Sequence, residues 1–547
     1  MKHFFNRRDT IVQEALDGLL RTAGGALSRI DAYPDIKVVI RSDWDRSRVA
    51  LVSGGGAGHE PSHAGFVGKG MLTAAVSGEI FASPSSEAVL TAIRAVTGPA
   101  GCLLIVKNYT GDRLNFGLAA ERARADGLKV EMVIVADDIA LPDLPQPRGV
   151  AGTLFVHKIA GHLSESGADL GTIAKAARAV AEDTVSLGMS LSSCSIPGQA
   201  HEERLGPDEG ELGLGIHGEP GVERIGLQSA TELVATMAAR LAPELKAGAR
   251  YALLINNLGA VPPLEMTLIA NAVLDSPIGK SVDLTIGPAP LMTALNMNGF
   301  SLSLLALDAE REAALLAPAG PHAWTPAQRV AAVKLLPRPV ARGTDASAAA
   351  SRDAGAEKLI RAVAERLIAV EAELNRLDAK AGDGDTGTTV ATGGRSVLAR
   401  LDRLPLADHA ATLAVIGTTL SSSMGGSSGV LLSIFFTAAS KALAGGDTLA
   451  RALLAGLDRM TFYGGAQPGD RTMVDALQPA LAALASKGVA AAAEAARAGA
   501  ELTATMQKAK AGRSAYLGDR QLLGVIDPGA LAVAEAFSAA AKAWEPA

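Results

Sequence analysis

The chain has 547 residues, enough for about two to four domains that each bury a core of their own. Its formal charge of −6, from 51 basic and 57 acidic residues with no basic run, argues against nucleic acid, which needs a positive surface field. Aromatic residues make up 3 %, too few for base-stacking platforms.

From the start, MKHFFNRRDT has no apolar stretch of signal-peptide length. Up to residue 336, short aliphatic runs alternate with helical patterns. Strands are predicted at 49–52, 102–106, 130–135, 251–255, 282–286 and 302–307. Helices are predicted at 86–96 and 115–125, and crossovers of that length predict β-α-β units in α/β layers. Two cysteines, Cys102 and Cys194, have no metal-type spacing and fit reduced thiols in the cytoplasm.

Three motifs in this half suggest chemistry. The first strand leads into SGGGAGHEPSH, where Gly55, Gly56 and Gly58 would let backbone approach a ligand. His59 follows at once, with Glu60 and His63 beyond it, and a turn with surface histidines is the plain alternative. The second strand ends in Lys107, Asn108, Thr110 and Asp112, the place where α/β sheets hold ligands. Asp112 could equally cap a helix. Further on, His217 stands between glycines in GIHGEPG, two residues before Glu219. A neutral imidazole there is a nucleophile with room for a substrate carbon. Gly213, Gly215 and Gly218 fit a dinucleotide pattern by accident, since no strand precedes them. Gly279-Lys280-Ser281 lacks the earlier glycine of a P-loop.

Residues 337–355 are rich in Pro, Ala, Ser and Gly and read as a linker between domains 1–336 and 356–547. Beyond it strands vanish. Helical patterns run at 357–374, 406–421, 449–462, 472–487 and 490–508, giving an all-α domain. The apolar run from Gly429 is interrupted by Lys441, so no membrane span is expected.

In this half Asp378, Asp383 and Asp385 stand in a glycine-rich interruption. Close carboxylates need a cation, and hard oxygens suit Mg²⁺ completed by phosphates. Thr386, Gly387, Thr388 and Thr389 follow. Gly426, Ser427 and Ser428 precede a helix expected from Val430 and offer N–H groups to phosphate. Gly465, Arg471 and Met473 lie in GGAQPGDRTM, where a guanidinium could meet a transferring phosphoryl group. Asp527-Pro528-Gly529 is a turn that could close over a nucleotide.

SGGGAGHEP, KNYTGD and GIHGEPG, followed by LDAKAGDGDTG, GGSSG and GDRTMVDAL, resemble the dihydroxyacetone kinase family over almost the whole chain. The resemblance implies an α/β substrate domain followed by an eight-helix barrel for the nucleotide. It implies that His217 holds the ketone as a hemiaminal, with His59 and Asp112 assisting the attacking hydroxyl and Lys107 contacting the same ligand. It also implies that Asp378, Asp383 and Asp385 bind magnesium. Thr386 stands where some members have histidine. Fusion of both domains favours direct use of ATP, in a homodimer. Erythrulose or glyceraldehyde is an alternative substrate, cyclic FMN formation from FAD an alternative side activity, and a non-catalytic ketone sensor a third class.

Overall fold

Aliphatic runs in the first half become strands that can be covered on both faces. Cys102–Lys107 is buried along its whole length and pairs in parallel with Ala50–Ala57 and with Val130–Val135. Continuous burial of this kind is what a parallel strand beneath two helical layers requires. Ala74–Ile80 extends the parallel set, and Val38–Arg41 and Leu27–Arg29 add antiparallel strands to give six. A second sheet has seven strands, in the spatial order Gln328–Arg329, Val282–Ala289, Arg250–Asn257, Gly299–Leu307, Thr184–Ser190, Glu209–Leu212 and Glu223–Gly226. Leu103 and Ile105 of the first sheet share one core with Leu254, Ile286 and Leu305 of the second.

This computed structural model describes residues 3–141, 146–200, 204–339, 349–510 and 522–544. The chain divides into two units, Met1–Leu335 and Leu336–Ala547. Residues 340–348 of the expected linker lie outside the described residues. Both cysteines are free thiols, and burial pushes Cys102 up to about 12.

One strand differs from its expected form in a way that matters. It does not end at residue 52 but continues through the glycines to Ala57. Gly54, Gly55 and Gly56 are therefore strand residues, Gly58 lies just beyond the strand, and neighbouring side chains explain Gly55 and Gly58. A Cβ on Gly55 would lie 2.6 Å from Lys107 Nζ, and one on Gly58 would lie 2.8 Å from the Phe81 ring. Gly55 and Gly58 also have φ of +155° and +100°, which disfavour other residues.

The second unit has nine α-helices among the described residues. Ala354–Ala369 and Glu371–Ala381 share Val370 as a cap, so the expected helix 357–374 is one bent rod. Then follow Thr386–Leu398, His409–Ser423, Gly426–Ala444, Leu449–Gly464, Val474–Lys487, Val489–Thr503 and Pro528–Ala543. Each packs on the next, and the last returns to Ala354–Ala369, so eight rods close a ring. Alanines make the close approach: Ala476, Ala480, Ala496, Ala500, Ala530 and Ala534 form one fully buried seam. Gly426–Ala444 starts earlier than expected. Its 19 residues are, contrary to expectation, long and apolar enough to cross a membrane by length and composition. Within this unit it packs between His409–Ser423 and Leu449–Gly464 as a wall of the ring.

Ring neighbours joined by connections as short as Met424–Gly425 must run antiparallel. Alternate connections therefore open on the same end. These are 382–385, 424–425, 465–473 and the end at which Val489–Thr503 finishes and Pro528–Ala543 begins, and the acidic and glycine-rich motifs all stand there or in the helical turns beside them.

Candidate functional site

The first constellation lies where Ala50–Ala57 and Cys102–Lys107 end. His59 is fully buried, with Nδ1 2.7 Å from the Thr293 carbonyl oxygen. A carbonyl only accepts, so Nδ1 carries the proton and Nε2 keeps its lone pair. That Nε2 has no hydrogen-bond partner. Burial, then the neighbouring His217 and Lys107, hold the His59 pKa well below the usual histidine value. His59 is a neutral imidazole with its basic nitrogen available.

His217 sits on the loop between the strands Glu209–Leu212 and Glu223–Gly226. Contrary to expectation a strand does precede Gly213, but a strand rather than a helix follows the glycines, so the dinucleotide pattern still fails. The His217 ring is walled on three sides. Tyr109, His59 and Phe81 meet it edge to face, with ring centroids at 4.4, 4.8 and 5.4 Å. Its Nδ1 lies 3.4 Å from Glu219 Oε1, and its backbone N–H donates to Glu219 Oε2 at 2.8 Å. Burial would raise the Glu219 carboxyl, but the His217 contacts bring it down to about 2. Glu219 is thus a carboxylate placed to keep the proton on Nδ1, which leaves the lone pair on Nε2. The glycine frame serves this anchor rather than a substrate carbon: a Cβ on Gly215 would strike the Glu219 carboxylate, and one on Gly218 would lie 3.0 Å from Cys194 Sγ.

Lys107 and Asp112 complete the constellation. Thr110–Ala125 begins just beyond the strand, and Asp112 lies in its first turn without capping it. Asp112 Oδ2 is 3.9 Å from Lys107 Nζ, and Oδ1 is buried with no partner. An unsatisfied buried carboxylate oxygen is costly, by about 1–3 kcal/mol or more, and fits a donor supplied by a ligand. Nζ donates to Gly54 O at 3.2 Å and contacts His63 Nε2 at 2.7 Å. Burial lowers the Lys107 pKa while Asp112 works against that shift. The structure brings together His59, Lys107, Asp112, His217 and Gly55. Tyr109, Phe81, Thr293 and the anchoring role of Glu219 had no signal in spacing, since packing alone supplies them.

In the second unit Asp378, Asp383 and Asp385 each offer an oxygen within 4.8 Å of the others. Asp378 is buried, and its Oδ2 accepts from the backbone N–H groups of Gly384, Asp385 and Thr386 at 3.0, 3.0 and 3.1 Å. That fixes the turn and keeps Asp383 and Asp385 at the exposed rim. Three converging carboxylates with hard oxygen donors fit Mg²⁺, which neutralises their repulsion.

The threonines are the first turn of Thr386–Leu398 rather than a loop. Asn375 holds that turn: its Oδ1 accepts from the Thr388 N–H at 3.0 Å, and its Nδ2 donates to Thr388 Oγ1 at 2.9 Å. A Cβ on Gly387 would strike the Glu371 carbonyl. Gly426, Ser427 and Ser428 are likewise the first turn of a helix that starts four residues before Val430. Gly425 caps it without a side chain, which leaves N–H groups free for an anion. Gly465 ends Leu449–Gly464 in the left-handed conformation.

Arg471 is placed differently from its expected position. Its side chain is fully buried, Nη2 donates to Val525 O at 2.7 Å, and Nη1 is 4.0 Å from Asp527 Oδ1. It meets Val525 and Asp527 across the fold, and its Nε and Nη1 are buried with no hydrogen-bond partner. Asp527-Pro528-Gly529 is a helix start rather than a turn. Asp527 Oδ2 caps Pro528–Ala543 through Ala530 N, and burial raises its carboxyl to about 6. A Cβ on Gly529 would lie 3.4 Å from that of Met473, so these two motifs meet.

Comparison with known proteins matches residues 21–323 to the Dak1 domain and residues 380–542 to the DAK2 domain. The chain is 49 % identical to the dihydroxyacetone kinase of Citrobacter freundii, over 98 % of this chain and 99 % of the relative. It is 43 % identical to the triokinase/FMN cyclase of Homo sapiens, over 91 % and 92 %. The crystal structure of the C. freundii enzyme in complex with AMP-PNP and Mg²⁺ superposes with a TM-score of 0.71, at 47 % identity over 99 % of both chains.

Proposed function

The chain belongs to the dihydroxyacetone kinase family, and from that premise we propose that it phosphorylates a terminal hydroxyl of dihydroxyacetone with ATP and Mg²⁺. The observation that carries this reading is the His217 environment. An imidazole oriented by Glu219 stands 4.8 Å from a neutral His59 whose Nε2 is unpartnered.

His217 Nε2 attacks the carbonyl carbon. The C–N bond forms, the carbonyl π pair moves to oxygen, and that oxygen takes up a proton from solvent, leaving the ring's positive charge paired with the Glu219 carboxylate. Glu219 shares the Nδ1 proton and stabilises the charge on the ring as the bond forms. This adduct selects for a carbonyl, so glycerol has nothing for His217 to capture. His59 Nε2 then accepts the proton of the terminal hydroxyl, Asp112 Oδ1 accepts a substrate hydrogen bond, and Lys107 donates one. The hydroxyl oxygen bonds to the terminal phosphorus of ATP, and ADP leaves with the electron pair of the broken P–O bond. Asp378, Asp383 and Asp385 would hold Mg²⁺, which neutralises phosphate charge when bound. The first turns at Thr386–Thr389 and Gly426–Ser428, with Gly465, Met473 and the Asp527–Gly529 helix start, would line the nucleotide, and Arg471 would brace them.

The name of the human relative supports a second reading, a cyclic FMN-forming lyase activity alongside the kinase. The family resemblance supports a homodimer in the cytoplasm, which light scattering and fractionation would test. An ADP-release assay across dihydroxyacetone, both erythrulose enantiomers, glyceraldehyde and glycerol tests the kinase reading. Turnover is expected with the carbonyl compounds and not with glycerol. No turnover with any carbonyl compound would overturn it.

A further inference from the structure

We infer that His63 is a positioning residue for the ketose reaction, acting through Lys107. The inference rests on the reading of Lys107 as a ketose contact and assigns a task to a histidine that the chemistry above does not use.

His63 Nε2 lies 2.7 Å from Lys107 Nζ, and both residues are buried. With Lys107 as an ammonium, which has three donors and no acceptor, Nε2 is the lone-pair nitrogen and the proton stands on Nδ1, which is buried with no partner. Gly54 O takes a second donor at 3.2 Å. The third is left for the side on which Asp112 Oδ2 lies, 3.9 Å away. His63 and Gly54 thereby aim a flexible four-carbon side chain. A carboxylate in place of His63 would aim it too, but would also quench its charge. A neutral imidazole fixes the direction and leaves that charge to Asp112 and the ligand.

The support behind His63 returns to the same two strands. The His157 ring meets the His63 ring edge to face with centroids at 5.2 Å. His157 Nε2 donates to Ser53 Oγ at 3.2 Å, and the Ser53 hydroxyl donates to Ile105 O at 2.7 Å. Ser53 precedes Gly54, and Ile105 lies two residues before Lys107. The contacts form a closed circuit through both strands that end at the ketone site. Burial, with Lys107 next in weight, also keeps His63 well below the usual histidine pKa.

The test compares His63→Leu, which removes the acceptor, with His63→Gln, which offers an oxygen in its place. Loss of a hydrogen bond to a charged group predicts a rise of about 10- to 100-fold in KM for dihydroxyacetone in the leucine variant. KM for ATP should stay unchanged, and glutamine should recover most of the loss. An unchanged ketose KM in the leucine variant, or equal failure of both variants, would overturn the inference. Nitrogen-15 NMR of histidine-labelled wild-type protein decides independently of any variant's folding. Nδ1 of His63 should be protonated and Nε2 bare at neutral pH, and the opposite tautomer or an imidazolium would overturn the contact. If the wild-type chain turns over no ketose, the kinase reading falls, while the NMR result still decides how His63 meets Lys107.

Discussion

In the first unit His59 and Lys107 are buried, His217 is partly buried, and each is already held on one side. His59 is fixed through its Nδ1, His217 through Glu219, and Lys107 through Gly54 and His63. In the second unit Asp383 and Asp385 stand exposed, while Asp378 is buried and held by three backbone N–H groups. The contrast follows from what each site would receive. A small uncharged ketose brings little binding energy, so its site must be preorganised and dry. A nucleotide with its metal brings several charges, enough to order an open rim on arrival.

The largest effect should come from His217→Ala. Loss of the nucleophile predicts a fall in kcat/KM of about a thousandfold or more. The tetrahedral carbon signal of bound [2-13C]dihydroxyacetone should vanish. Persistence of that signal would show that capture by the first unit does not depend on His217. A smaller effect is expected from Asp383→Asn, with turnover down about 100-fold through weakened metal binding. Here the carbon signal should stay as in wild type. If it too disappears, the two sites are not separable as the comparison holds.

The smallest effect concerns pH. His59 must be neutral to accept a proton, and protonation disables it. Its pKa is depressed, so activity should be retained as pH falls through about 6.5, the ordinary histidine value, and be lost only at lower pH. The measurement is kcat/KM for the ketose across the acid range, which reports the free enzyme. An acid limb centred near 6.5 would mean that His59 is far wetter than its burial indicates.

The same contrast explains what could be read from the sequence. Aliphatic runs such as Cys102–Lys107 announce themselves as strands, whereas Ala74–Ile80 and Thr184–Ser190 are diluted by Ser and Gly and were not predicted. Thr386–Leu398, full of threonine and glycine, is a poor helix former. Tertiary packing overrides that propensity: Gly387, Gly393 and Gly394 let it press against Glu371, Met424 and Ile368. Motif histidines and aspartates were legible because chemistry restricts residue type. Their supports were not. Tyr109, Phe81, Thr293 and Asn375 belong to their sites only through folded distance, and the burial of Arg471 against Val525 is invisible in the sequence.

The closed helical ring has a consequence for how the second unit can be rebuilt. Its first rod starts, and its last helix ends, on the side away from the 382–385, 424–425 and 465–473 connections, and these two helices pack together. Ala354 and Ala543 can therefore be bridged by a short peptide, and the chain reopened at Gly446 on that same side. Such a circular permutant would keep the 382–385, 424–425 and 465–473 connections intact. The unit is in effect a cyclic object, and the place where its chain happens to begin is incidental to the site it carries.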